Sequence, residues 1–361
     1  MERSRVAVLR TTPATVISDY ARLMRLANYQ QYLPRDNDTA LKINISWHYF
    51  YPACSTTPWQ LDGVISTLLE DGYSPDKLYG CHNRTVVVSA RRGELANKHK
   101  QVVVDKHGLR NIHLYEKNEE WIRYQPKAKM LALDQIYPEG IWIPKRLVGS
   151  NIVHLPTMKT HVFTQMTGAM KNAFGGLLFE RRHWTHSVIH ETLVDLLAIQ
   201  KEIHSGIFAV MDGTFAGDGP GPRCMVPQVK NYILASGDLV AIDAIAAKMM
   251  GFDPLSIRFI RLAHEQGLGC GDPREIDVVG EDIADVNFHF HVRDTLASHG
   301  QKLIYWGPLK PLEHLLLRTI LAPWSYAASF LYHDVFWYNC IGRGRVRQSL
   351  QTDWGKLFSR Y

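Results

Sequence analysis

The sequence predicts an α/β protein: a mixed, largely parallel sheet flanked by helices, followed by a helical, aromatic C-terminal extension. Three observations carry that expectation. Short apolar strands alternate with amphipathic helices over most of the first 300 residues, the rhythm of parallel β-α-β units. The composition, 46% hydrophobic and 21% charged, is that of an ordinary globular chain. Past Gln301 the alternation stops and aromatic residues take over.

Val6 to Leu9 reads as the first strand and Thr15 to Ala27 as an amphipathic helix, with Val16, Tyr20, Leu23, Met24 and Ala27 at helical spacing. From Ala40 to Ser46, Leu41, Ile43 and Ile45 share one face of a strand, and Lys42 and Asn44 share the other. Thr56-Thr57-Pro58 can cap a helix from Trp59 to Asp71 that stops near Gly72. Strands are expected at Thr85–Ala90, Asn111–Tyr115, Asn151–Leu155, Gly206–Met211, Tyr232–Ala235 and Ile276–Val279. Helices are expected at Thr164–Ala173, Glu191–Ile203 and Leu239–Met250. This gives a ligand-binding core over residues 1–300, divisible into two lobes near residue 148, and a basic and aromatic extension over 301–361. The uncharged run Thr319–Tyr332, broken by Pro323, is too short to span a bilayer. It reads as a helix pair packed on the body, with peripheral membrane contact as the alternative.

Composition also excludes some classes. Forty-one Lys plus Arg against 35 Asp plus Glu give a net charge of +6, with no long basic run, so nucleic acid is not an expected partner. The five cysteines form no C-x-x-C pair, which rules out an iron–sulfur or structural zinc site built from local cysteines. The N-terminus lacks the long apolar segment of a secretory signal, and a cytoplasmic location is expected.

Four segments concentrate chemistry. His154 to His161 reads as a strand followed by a loop presenting Lys159, Thr160 and His161, with Lys171 and Asn172 on the next helix. Ligands bind beyond the carboxyl ends of strands in such folds, where lysines neutralise anions and asparagine orients carbonyls. Otherwise Lys159 is a solvated loop lysine and a nearby threonine a helix cap. His183, His186 and His190 would share one face of a helix and suit a divalent metal or an anion, or simply make structural hydrogen bonds. Asp212 is expected at a strand end before a Gly/Pro-rich loop that leads to Arg223, which could close on an anion or belong to a plain turn. Asp238 reads as a helix cap, and Asp243, costly if buried alone, as a partner for a base such as Lys171.

The ordered motifs resemble a known family. They are Leu41-Lys42-Ile43-Asn44; Lys159-Thr160-His161 with Thr167 to Gly175; Asp212-Gly213 with Gly217-x-Gly219-Pro220; Gly237-Asp238 with Val240 and Asp243; and Gly267-Leu268-Gly269 with Ile276 to Glu281. Together, over about residues 40–285, they look like domain of unknown function 362. Many relatives carry a ferredoxin-like cysteine module, and the resemblance therefore implies a redox association. This chain lacks those cysteines, so a cluster is not expected and the cofactor is left open.

The resulting expectation is an enzyme for a small anionic or carbonyl-bearing metabolite, acting in redox chemistry with a diffusible cofactor. Lys42, Lys171 and Arg223 would bind the anion together with Lys159; Asn44 and Asn172 would orient it, and His161 and Asp212 would move protons, with Asp243 nearby. One alternative is a metal-dependent isomerase or hydrolase using His183 and His186. The other is a non-enzymatic protein that docks through its tail.

Overall fold

A computed structural model describes residues 3–319 and 322–361. Its strands are β1 (Arg5–Arg10), β2 (Thr39–Ile43), β3 (Leu78–His82), β4 (Arg110–His113), β5 (Trp121–Tyr124), β6 (Ile141–Pro144), β7 (Asn151–Leu155), β8 (Thr157–His161), β9 (Gln165–Met166), β10 (Gly206–Asp218), β11 (Val226–Ser236) and β12 (Asp277–Gly280). All but β5 and β6, which form a separate hairpin, belong to one sheet in the order β12-β1-β11-β10-β7-β2-β3-β4. Along that path only β11 is reversed. The sheet takes strands from both sides of residue 148.

Helices cover both faces, as a parallel sheet requires. On one lie α1 (Val16–Leu26) and α2 (Pro58–Glu70), α2 opened by the predicted Thr57 cap paired reciprocally with Gln60. Two short helices follow, α3 (Ala90–Ala96) and α4 (Leu133–Ile136). The other face carries α5 (Gly168–Asn172), α6 (Ile189–Ile203), α7 (Leu239–Met250) and α8 (Arg258–Glu265), with Asp238 capping α7. Because both faces are covered, all five residues of β2 are buried, including Lys42, where the sequence suggests one polar face.

The chain after Gln301 holds more than a helix pair. α9 (Leu296–Tyr305) leads to α10 (Glu313–Arg318), α11 (Pro323–Phe330), a wider π-helical stretch Leu331–Gly342, α12 (Arg343–Gln351) and α13 (Asp353–Phe358). Ile320 and Leu321 of the apolar run lie outside the described residues. Trp337, Trp354 and Phe358 enter the core beneath the sheet, whereas Trp324, Phe330, Leu331 and Phe336 remain about half exposed. No helix among the described residues is long and apolar enough to cross a membrane.

Four local expectations are corrected. Thr85–Ala90 is not a strand: the Thr85 hydroxyl accepts the amides of Val87 and Val88 and curls the run into a turn, while the strand is the preceding Leu78–His82. Lys159, Thr160 and His161 are not on a loop but on β8, which continues β7 past Pro156 and pairs with the far half of β10. The helix expected from Thr164 is shortened to Gly168–Asn172 by the β8–β9 turn. The residues from Glu180 to Val188 form a tight 3-10 helix, so His183 and His186 fall on one side while His190 begins the α-helical geometry of α6.

Strand order places the site. From β2 the chain steps outward through β3 to β4, then returns to the opposite flank of β2 as β7. The carboxyl ends of β2 and β7 thus flank a switch point, where open α/β sheets leave a crevice for ligands.

Candidate functional site

A cavity of about 730 Å³ occupies that crevice. Its floor comes from residues at or just past strand ends: Lys42 and Asn44 after β2, His82 and Asn83 after β3, and His161 at the end of β8. Lys171, Asn172, Arg182, His183 and His186 form one side and Arg223 another. The C-terminal extension closes the cavity with Tyr305, Leu317, Trp324, Tyr326, Tyr332 and His333. One end is therefore cationic, the other aromatic and apolar. Among the described residues, no aspartate or glutamate lines it.

The floor is held by main-chain carbonyls. Lys42 Nζ donates to the Ile43 carbonyl at 2.6 Å, and Asn172 Nδ2 donates to the Lys42 carbonyl at 2.9 Å. Asn44 accepts from the Ser46 hydroxyl at 2.8 Å. Burial lowers the Lys42 ammonium to about 8. Burial, with the charges of Lys159 and Arg182, lowers Lys171 to about 7; its ammonium lies over the Phe174 ring and meets no carboxylate among the described residues.

Arg223 Nη2 donates to the Ser329 hydroxyl at 3.3 Å, while its Nη1 is buried with no partner. An orphaned donor on a buried guanidinium is costly in a closed interior and useful to an incoming anion. His161 Nδ1 accepts the Phe163 amide at 3.2 Å, which leaves its proton on Nε2. Burial, then Lys171 and His186, push its pKa well below the usual range. His161 is thus a neutral hydrogen-bond donor, and the groups that ionise near neutral pH are lysines.

Three expected site residues lie elsewhere. Asp212 is in the middle of β10, because that strand extends to Asp218, and does not line the cavity. Its carboxylate is fully engaged. Oδ2 accepts from Tyr20 at 2.7 Å, Trp59 at 2.8 Å and Thr57 at 2.9 Å, and Oδ1 accepts the amide and hydroxyl of Thr214. Asp212 therefore clamps α1 and α2 to the sheet and is not placed as the proton partner of His161.

Asp243 meets backbone amides and not Lys171. Its oxygens accept from Ala169 at 2.5 Å and Met170 at 3.0 Å, at the start of the short helix that presents Lys171 and Asn172. Gly168 has φ +67 there, and a side chain would strike the Asp243 carboxylate, so only glycine fits. Burial raises this carboxyl to about 8. Lys159 is wholly buried and donates to the Cys54 carbonyl at 3.0 Å and to Thr157 at 2.6 Å. It reaches the cavity only through its charge, which bears on Lys171 and His161.

His183 and His186 line the cavity, but they gather no third donor of metal-binding type among the described residues. His186 Nδ1 is hydrogen-bonded to the His183 carbonyl at 2.8 Å, and its ring stacks on Tyr305. Arg182, Asn83 and the aromatic lid went unremarked in the sequence. Arg182 sits within the histidine segment, and the lid comes from a region whose composition signals only packing.

The fold and this crevice define an α/β protein with a cationic pocket, partly covered by the C-terminal extension, at the carboxyl ends of its strands. The chain belongs to the family described as Domain of unknown function (DUF362), whose model matches residues 39–248. That span supplies the cavity floor and Arg223, whereas the lid lies beyond it. The chain is also similar to the thylakoid-associated protein sll1697 of Synechocystis sp., at 25% identity over 120 residues. That match covers 32% of this chain and 37% of the relative, so the chain spans well under half of its length. No solved structure matches.

Proposed function

We propose that the protein binds an amphipathic anion, a carboxylate or phosphate carrying an apolar or aromatic body, in the switch-point cavity. The observation that carries this reading is the lining: Lys42, Lys171 and Arg223 at one end, aromatic side chains at the other, and no acidic residue between them among the described residues. Lys42, buried, and Lys171 and Arg223, half-buried, have no carboxylate partner among the described residues, an arrangement that is unfavourable alone and becomes favourable when an anion supplies the missing charge. Asn44 and Asn172 stand beside the lysines to orient a carbonyl or hydroxyl. If the bound molecule reacts, Lys171 is the proton carrier suited to neutral pH and His161 the hydrogen-bond donor to a developing negative oxygen. A redox cofactor with a phosphate group and a carboxylate substrate both satisfy this chemistry.

Displacement of the fluorescent probe 1-anilinonaphthalene-8-sulfonate tests it. Decanoate and decyl phosphate should displace the probe at least about tenfold more effectively than decanol, the difference of one charge-assisted contact. Equal displacement by the uncharged alcohol overturns the proposal.

A further inference from the structure

Beside the cavity, three groups from separate elements converge in a pattern the anion site does not use. His82 ends β3, His113 ends β4, and Glu94 comes from α3, the helix connecting those strands' ends. Their nearest ligand atoms all lie within 4.8 Å of one another. His113 Nε2 is 2.7 Å and His82 Nε2 is 3.2 Å from the same oxygen, Glu94 Oε2. A metal at 2.0–2.1 Å from each donor needs donor pairs roughly 3.3 Å apart, so small shifts suffice.

The atoms behind these ligands point the same way. His113 Nδ1 faces Glu116 at 3.0 Å, the carboxylate contact that fixes a metal-binding imidazole and frees Nε2. Asn111 Nδ2 donates to Glu94 Oε1 at 2.8 Å, which turns Oε2 toward the two imidazoles. His82 Nδ1 is buried with no hydrogen-bond partner, so that ring is oriented by packing and by its Nε2 contact with Glu94. His82 and Glu94 are almost wholly buried and His113 is 15% exposed, unlike a surface cluster formed by chance.

We infer that His82, Glu94 and His113 form a three-ligand site for a divalent transition metal of the zinc class. Two imidazoles and one carboxylate suit zinc, and three protein ligands leave a position for water or a bound molecule. His82 also lines the cavity, which sets the triad at its margin. This inference is independent of the anion reading, because no residue named for the anion is a metal ligand.

The test is zinc titration of the full chain, freed of metal by chelator, followed by native mass spectrometry and by cobalt(II) substitution, whose visible bands report coordination. The wild type should bind one zinc per chain. Glu94→Gln and His113→Ala should lose it, and His183→Ala/His186→Ala should retain it. Glu116→Gln, outside the ligand set, should weaken binding by about 10–100-fold. The far-ultraviolet circular dichroism of each variant distinguishes lost ligation from lost folding, and Glu116→Gln keeps the test decisive if a ligand variant unfolds. Absence of stoichiometric zinc in the wild type, or zinc retained by folded Glu94→Gln and His113→Ala, overturns the inference.

Discussion

Two polar clusters in the same sheet have opposite character. Around Asp212, one carboxylate receives five hydrogen bonds from Tyr20, Trp59, Thr57 and Thr214, and nothing more is needed. In the cavity, lysines and an arginine are gathered with few acceptors and, among the described residues, no carboxylate, and Arg223 keeps a donor unused. The first cluster is complete in the free protein, while the second, on the reading proposed above, is completed by an anion. Burial and charge alone do not distinguish a structural group from a binding group; the balance of donors and acceptors does.

The largest contrast should come from breaking the complete cluster. Asp212→Asn places an amide donor among donors and strands at least one of them, so urea unfolding should report a loss of about 3 kcal/mol, with α1 and α2 loosened. A loss under about 0.5 kcal/mol would mean that the clamp is not structural.

The same class of change in the incomplete cluster should act with the opposite sign. Lys171 falls from 10.5 to about 7 because folding buries its charge, so at pH 7 to 10 the unfolded chain binds more protons and stability rises with pH in that window. Lys171→Met removes the buried charge. It should raise stability by about 1 kcal/mol at pH 7, flatten that rise, and weaken binding of decyl phosphate about tenfold. Loss of stability together with unchanged affinity would erase the distinction between the clusters.

A third effect is the pH dependence of the wild type. An anion favours protonated lysine, so its affinity should be nearly level below pH 7. Above about pH 8, where Lys171 and then Lys42 are neutral in the free protein, binding takes up a proton and Kd should rise about tenfold per pH unit. Calorimetry in buffers of different ionisation heat measures this uptake directly. A Kd independent of pH from 6 to 9 would mean that these lysines do not contact the anion.

Much of the fold was legible in the residues. Leu239–Met250 and its Asp238 cap were read with their true ends, because a local periodicity and a local hydrogen bond define them. The Thr57 cap was equally readable. Thr85–Ala90 misled because three valines carry strand propensity, whereas a single threonine hydroxyl decides the turn. Of the residues singled out, Lys42, Asn44, His161, Lys171, Asn172, His183, His186 and Arg223 line one cavity, and Lys159, Asp212 and Asp243 do not. Residue type could nominate all eleven, since each is polar beside an apolar run. It could not sort them, because the partners that satisfy Asp212 come from about 150 to 190 positions away.

By itself, then, the sequence determined the alternation of strands and helices, the family, and the pool of groups able to do chemistry, all of which rest on local pattern and residue type. Tertiary structure alone decided that β8 prolongs β7, that the aromatic tail closes a cationic crevice, and that His82, Glu94 and His113 meet. The physical reason is that satisfaction of a buried polar group depends on partners brought by long-range packing, and no periodicity along the chain records them.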